Sequence, residues 1–143
     1  MRIVIFDVDG VIFDPTNRLH LMEVDYTAFE KAAIHDPPIQ KTIDLMNSFN
    51  RINTSILLLT GRSEFCREIT EFKLKKHNVP YDEIIMRPIG DDSPSDIFKS
   101  KALKARYSKD ILSCIVGIYD DEEMNIQAFR AMGLPAFLVT TNH

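Results

Sequence analysis

Ile3-Val4-Ile5-Phe6-Asp7-Val8-Asp9-Gly10 runs four apolar residues straight into two carboxylates and a glycine. Unbroken rather than alternating hydrophobicity marks a strand covered on both faces, as in a parallel sheet held between helical layers. Runs of the same form stand at 55–59, 115–119 and 136–139, with a weaker one at 83–86. Between them, apolar residues recur at helical spacing. Residues 26–34 carry Tyr26, Phe29, Ala33 and Ile34 on one stripe, and 39–49 carry Ile39, Ile43, Met46 and Phe49. Ser63 reads as the N-cap of a helix reaching about His77, with Phe65, Ile69, Phe72 and Lys76 along one side. Ser95 caps a helix over 97–107, and one over 124–132 stops at Gly133 with Pro135 beyond. The alternation predicts a doubly wound, mostly parallel five-stranded α/β sheet with helices on both faces and right-handed crossovers. Such sheets bind ligands at the carboxyl ends of their strands, where the winding reverses.

The chain has 143 residues, 45% hydrophobic and 27% charged, which predicts one domain over 1–143 with a core large enough to need no disulfide or structural metal. Seventeen basic against twenty-one acidic residues give a net charge of −4, which disfavours gripping a duplex through a large positive field. Cys66 and Cys114 lie in apolar-periodic segments without metal-ligand spacing and read as buried, reduced thiols. No stretch has the roughly 20 apolar residues that cross a bilayer, and the short apolar run at the start is no signal peptide. The expected setting is a reducing cytoplasm without membrane contact. The end, from Thr140 to His143, reads as frayed.

Chemistry concentrates where the strands end. Asp7 and Asp9 leave the first strand with no Lys or Arg beside them, a crowding that either a divalent cation between them or protonation of one acid relieves. Asp120 and Asp121 leave the run at 115–119 in the same way. Four carboxylates without nearby His or Cys suit Mg²⁺ better than zinc. Thr60-Gly61-Arg62 places a hydroxyl, a flexible backbone and a guanidinium where a phosphate can be received, beside the amides of the helix capped by Ser63. A lysine completes the set, and Lys99 is better placed to reach inward than Lys101. These parts specify phosphoryl transfer. Asp7 attacks phosphorus and forms an aspartyl-phosphate. Asp9 protonates the leaving alkoxide and then activates water. Thr60 and Lys99 bind phosphoryl oxygens, while Asp7, Asp9, Asp120 and Asp121 hold the metal.

The order DVDG, LLLTGR, lysine, acidic pair resembles the haloacid dehalogenase superfamily of phosphohydrolases. A closer resemblance covers nearly the whole chain. The segments at 14–20, 25–29 and 36–39, Met86-Arg87-Pro88, Gly90-Asp91 and Lys99 are similar to the 3'-phosphatase domain of phage polynucleotide kinase. The resemblance implies Asp7 as nucleophile, Asp9 as acid/base whose backbone carbonyl also binds Mg²⁺, and Thr60 and Lys99 as the second- and third-motif residues. It further implies Asp120 with Asp121 as the metal-binding pair, and Arg18 and Arg62 as contacts to the substrate's phosphate. The implied substrates are nucleotides or the 3'-phosphate ends of polynucleotides. Val11 stands where Thr is usual in that family, and no GxxxxGK[ST] is present for a kinase activity.

The short spacings between motifs leave room for no large cap domain, only a loop and a helix over 14–39. The irregular stretches at 14–25 and 87–94 are candidate site loops. His20 reads as a structural hydrogen-bonder; Arg87 either holds its loop or touches substrate. Two other classes fit parts of the pattern: a phospho-accepting receiver domain, whose acidic pair instead follows the first strand, and a catalytically silent interaction module on the same fold.

Overall fold

The computed structural model describes residues 1–140; the last three residues of the end read as frayed lie outside the described residues. Five strands form one sheet: β1 (Arg2–Phe6), β2 (Thr54–Ser63), β3 (Glu83–Arg87), β4 (Ile115–Asp120) and β5 (Ala136–Leu138). Their order is β3-β2-β1-β4-β5 and all neighbours are parallel, where the sequence predicts five strands in a mostly parallel sheet. The chain winds outward from β1 through β2 to β3, then returns to the other side of β1 for β4 and β5. That reversal opens a crevice at the carboxyl ends of β1 and β4.

The helices are α1 (Tyr26–Lys31), α2 (Gln40–Asn47), α3 (Arg67–Lys76), α4 (Ser95–Arg106), α5 (Lys109–Leu112) and α6 (Glu123–Ala131), with 3₁₀ turns at Thr16–Leu21, Ala32–His35 and Glu64–Cys66. Alternate residues of the central strands feed two cores. Val4, Phe6, Ile56 and Leu58 pack with Ile43, Met46 and Leu74 from α2 and α3. Ile3, Ile5, Leu57 and Leu59 pack with Phe98, Leu103, Ile126 and Phe129 from α4 and α6. Both faces of β1 and β2 are therefore covered, which is why their sequences do not alternate. Val11 is fully buried in the first core. Residues 14–39 supply two short 3₁₀ turns and α1 over the site, and no cap domain.

Several local expectations are corrected. Ser63 caps the 3₁₀ turn, accepting from the Phe65 N–H, and α3 begins only at Arg67. The inward face of α3 is Thr70, Lys73 and Leu74, whereas Phe65 and Phe72 are exposed. The apolar stripe there does not mark the core because polar residues of α3 are recruited to a buried ionic network. On the α1 segment, Ala33 is buried but Tyr26 and Ile34 are exposed. Pro94, not Ser95, occupies the N-cap of α4, which has no side-chain cap. β5 is an edge strand, so Phe137 and Leu138 are partly uncovered. Cys66 is buried and Cys114 only half-buried, and both are free thiols. No helix among the described residues is long and apolar enough to cross a membrane.

Candidate active site

Register assembles the reaction centre. Phe6 pairs with Leu58 on one side and Tyr119 on the other, so the next residues, Asp7 and Asp120, emerge level with each other from adjacent strands. Ligand oxygens of Asp7, Asp120 and Asp121 all lie within 4.8 Å of one another. The ammonium of Lys99, carried by α4 and almost fully buried, sits 2.7 Å from Asp120 Oδ2 and 3.1 Å from Asp7 Oδ1. Lys101 is exposed, so Lys99 is the inward lysine. Asn125 of α6 donates from Nδ2 to both Asp120 oxygens at 3.2 Å.

Gly10 is dictated by this crowding. Its φ is +79°, which side-chain-bearing residues rarely adopt, and a Cβ there would stand 2.0 Å from Asp121 Oδ2 and displace that carboxylate.

The carboxylate of Asp9 points the other way. It receives Arg62 Nη2 and Arg18 Nη2, each at 2.8 Å. Behind the arginines lies Asp36, which takes Arg18 Nε at 2.9 and 3.0 Å and has Arg62 Nη2 3.6 Å away. Arg62 also donates to the Thr70 hydroxyl at 3.0 Å, and the buried Lys73 ammonium donates to the Asp36 carbonyl and lies over the Phe13 ring. Thus Asp9's side chain is outside the metal-ligand cluster expected of it; only its backbone carbonyl remains for that role. Arg18 and Arg62, expected as open phosphate receptors, are buried and occupied. Thr60 is likewise fully buried, its hydroxyl accepting the Arg62 N–H at 3.0 Å. The reason is a bulge. Between the pairs Leu59↔Ile85 and Ser63↔Arg87, β2 advances four residues and β3 two, so residues 60–62 bow inward as strand instead of forming an open turn.

Two electrostatic halves result. On one side two carboxylates, Asp9 and Asp36, face two guanidiniums, Arg18 and Arg62, with the Lys73 ammonium at the Asp36 carbonyl behind them, so the negative charge is fully offset. On the other side three carboxylates, Asp7, Asp120 and Asp121, face the single ammonium of Lys99, leaving two negative charges over. Protonation follows this division. Burial raises Asp9, but the charge and hydrogen bond of Arg62 and the charge of Arg18 outweigh it and hold the group below the usual carboxylate range. Burial lifts Asp7 well above that range despite Lys99, with Asp120, Asp121 and Asp9 adding to the rise. Burial and Asp120 push Asp121 up to about 6. Burial lowers Lys99, but Asp7 and Asp120 more than reverse it, so the ammonium stays charged. An excess of two charges on hard oxygen donors fits one divalent cation such as Mg²⁺.

The centre opens into a cavity of about 370 Å³ lined by Asp7, Asp9, Tyr26, Gly61, Lys99 and Asp121 among others. Arg87 lines it too and also holds its loop, donating to the carbonyls of Gly61 at 3.0 Å and Ser93 at 2.6 Å. His20 is exposed on the first 3₁₀ turn and makes no side-chain hydrogen bond among the described residues, contrary to the structural role expected of it. Sequence reasoning missed Asp36, Thr70, Lys73 and Asn125. For Thr70 and Asn125 the available signal was a polar residue within the apolar-periodic runs of α3 and α6; Asp36 and Lys73 carried none.

Fold and site define a phosphatase of the haloacid dehalogenase type. A family model described as "Polynucleotide kinase PNKP phosphatase domain" matches residues 1–143, and the chain belongs to that family. No curated protein matches it. Among solved structures, a chain of the Pnkp1/Rnl/Hen1 complex superposes with a TM-score of 0.83 at 24% identity, covering 96% of this chain and 45% of that one. This chain therefore spans less than half of that relative. A haloacid dehalogenase-like hydrolase from Streptococcus pneumoniae gives 0.71 at 14% identity, with 98% and 85% covered. An apo phosphoserine phosphatase gives 0.58 at 14%, with 94% and 85% covered. At such identities the likeness is one of fold.

Proposed function

We propose that residues 1–143 form one phosphatase domain, a Mg²⁺-dependent phosphomonoesterase that works through an aspartyl-phosphate on nucleotides or the 3'-phosphate ends of polynucleotides. The observation that carries the chemistry is the convergence of Asp7, Lys99, Asp120 and Asp121 at the carboxyl ends of β1 and β4, open to a cavity. The family supports the substrate class.

Asp7 Oδ attacks phosphorus as the ester P–O bond breaks, and Asp9 gives its proton to the departing alkoxide. Asp9, again a carboxylate, then takes a proton from the water that attacks the acyl phosphate, and the Asp7–phosphorus bond breaks to release inorganic phosphate. Lys99 holds Asp7 in place and offsets phosphoryl charge. Arg18 and Arg62 fix Asp9. An incoming phosphoryl dianion competes with Asp9 for their charge, which raises the proton affinity of Asp9 when it must serve as an acid. Asp7, Asp120, Asp121 and the Asp9 carbonyl are the groups to hold Mg²⁺, which when bound supplies Lewis-acid charge neutralisation.

The test is phosphate release from a 3'-phosphorylated oligonucleotide, a 5'-phosphorylated one, mononucleotides and sugar phosphates, for wild type and Asp7→Asn. Turnover that vanishes in a folded Asp7→Asn supports the reading; a variant keeping most of its rate removes Asp7 as nucleophile. A long-lived phosphoprotein in place of turnover would instead favour a receiver-like domain.

A further inference from the structure

The groups expected to receive the substrate's phosphate are occupied within the protein. Arg18 and Arg62 are paired with Asp9 and Asp36, and Thr60 is fully buried. Among the described residues, the cations that line the reaction cavity are Lys99 and Arg87. Lys99 is shared between Asp7 and Asp120. Arg87 is held mainly by neutral groups. Its Nε donates to the Gly61 carbonyl at 3.0 Å, and its Nη1 to the carbonyls of Ser93 at 2.6 Å and Asp91 at 3.4 Å. The guanidinium carbon lies 4.9 Å from the Phe98 ring centroid, and the Asp91 carboxylate is 3.6 Å from Nη1. These contacts fix the guanidinium plane and leave Nη2 without a partner among the described residues.

Ser95 is in the same condition. It stands one turn before Lys99 on α4, so the two share a face, and both line the cavity. Its Oγ accepts from Asn125 Nδ2 at 3.2 Å, the amide that also holds Asp120. The hydroxyl's own hydrogen has no acceptor among the described residues. Nor does α4 use it, since Pro94 is the N-cap and no side chain caps that end. The two free donors flank one point on the cavity wall: a Cβ on Gly61 would stand 3.4 Å from Arg87 Nη2 and 3.9 Å from Ser95 Oγ. One charged and one neutral donor, fixed by other bonds beside a nucleophilic carboxylate, form the preorganised arrangement that phosphoryl oxygens require.

We propose that Arg87 and Ser95 are catalytic residues, with Arg87 Nη2 and the Ser95 hydroxyl donating to non-bridging oxygens of the phosphoryl group that Asp7 attacks. The proposal rests on the phosphatase reading for its place in the reaction, but not for the binding of phosphate itself. Two measurements separate them: calorimetric titration of inorganic phosphate into the Mg²⁺-loaded protein, which needs no turnover, and kinetics on glycerol phosphate, p-nitrophenyl phosphate and a 3'-phosphorylated oligonucleotide. Ser95→Ala is expected to weaken phosphate binding and lower kcat/KM about tenfold each, with Tm unchanged and Ser95→Thr restoring both; Arg87→Gln is expected to lower both about a hundredfold. The losses should be equal on all three esters, because the contact is to the group they share. Unchanged phosphate affinity and rates in Ser95→Ala overturn the proposal. So does a loss confined to the oligonucleotide, which would place the contact on a neighbouring phosphodiester. If Arg87→Gln fails to fold, Ser95→Ala alone decides. Phosphate binding that weakens as expected, with no ester hydrolysed by the wild type, would overturn the phosphatase reading and leave the two residues as a phosphate site.

Discussion

Replacing Asp36 probes the part of the site furthest from the chemistry. Both Asp36 and Arg18 have side chains at most 4% exposed, and Arg18 Nε reaches both carboxylate oxygens. Breaking such a buried pair from one side costs about 3–5 kcal/mol, because the remaining charge is left without compensation. Arg18 keeps its bonds to Asp9 and to the Phe29 carbonyl, which places Asp36→Ala at the lower end, about 3 kcal/mol. For a chain of this length, at about 3 °C per kcal/mol, Tm should drop by about 9 °C. Asp36→Asn retains one acceptor for Nε and should lose about half as much. The kinetic consequence is selective. Arg18 and Arg62, released from Asp36, no longer hold the Asp9 carboxyl in one place, so steps that need protonation of the leaving oxygen suffer. We expect Asp36→Asn to lose about tenfold in kcat on an alkyl phosphate, a fraction of the 10²–10⁴ ascribed to general acid catalysis, and little on p-nitrophenyl phosphate, whose leaving group needs no proton. Differential scanning fluorimetry and paired kinetics on the two esters read both effects. A variant with unchanged Tm and equal losses on both esters would refute the idea that Asp36 acts through the arginines on Asp9.

Lys99→Met should abolish turnover without rescue by Mg²⁺, since Asp7 loses the ammonium 3.1 Å away; a variant keeping a tenth of the wild-type rate would show that Lys99 is dispensable. Dependence on divalent cation should follow Asp121, whose carboxyl is pushed up to about 6 from an ordinary 3.8. Without cation the folded state holds that proton more tightly than the unfolded chain, so this group's stabilising contribution is greatest below 3.8 and fades as pH rises through about 6. Cation binding needs the carboxylate, so Mg²⁺ should raise Tm at pH 7.5 and hardly at pH 5, with EDTA reversing the gain; equal gains at both pH values would contradict the assignment.

The sheet was legible because its strands are covered on both faces and so leave unbroken apolar runs in the sequence. Asp7 and Asp120 were legible because each lies at a strand end, where topology alone dictates convergence, and Lys99 because it sits in the N-terminal half of the helix that follows β3. Spacing could not tell which way a side chain turns. Asp7 and Asp9 are two residues apart, yet their carboxylates face opposite charge environments, because the tight loop from Val8 to Phe13 folds back on Val8 after β1. Arg62 was read as a phosphate contact on an open turn, but the bulge in β2 draws it inward to Asp9. Asp36 and Lys73 were invisible for a different reason. One stands before two prolines and the other on a lysine-rich helix, contexts that ordinarily mean surface, and only their mutual burial with Arg18 and Arg62 brings them inside.

In the proposed mechanism the two halves of the site place opposite demands on the attacking carboxylate and on its proton-transferring neighbour. A nucleophile must be ionised and an acid protonated, yet the isolated protein has the reverse order, Asp7 raised and Asp9 lowered. On the proposed mechanism each departure is corrected by a reactant and not by the protein. Asp7 sits in the half with two surplus negative charges, so a divalent cation restores its ionised form. Asp9 sits in the half whose negative charge is fully offset, where its low proton affinity depends on guanidinium charge that an arriving phosphoryl dianion would share. In the proposed mechanism the cation and the phosphoryl group therefore each oppose the shift that the protein imposes on one of the two carboxylates. Exchanging the roles fails on the same physics: Asp9 as nucleophile would stay neutralised by two guanidiniums, and Asp7 as acid would lose its proton to the cation's field.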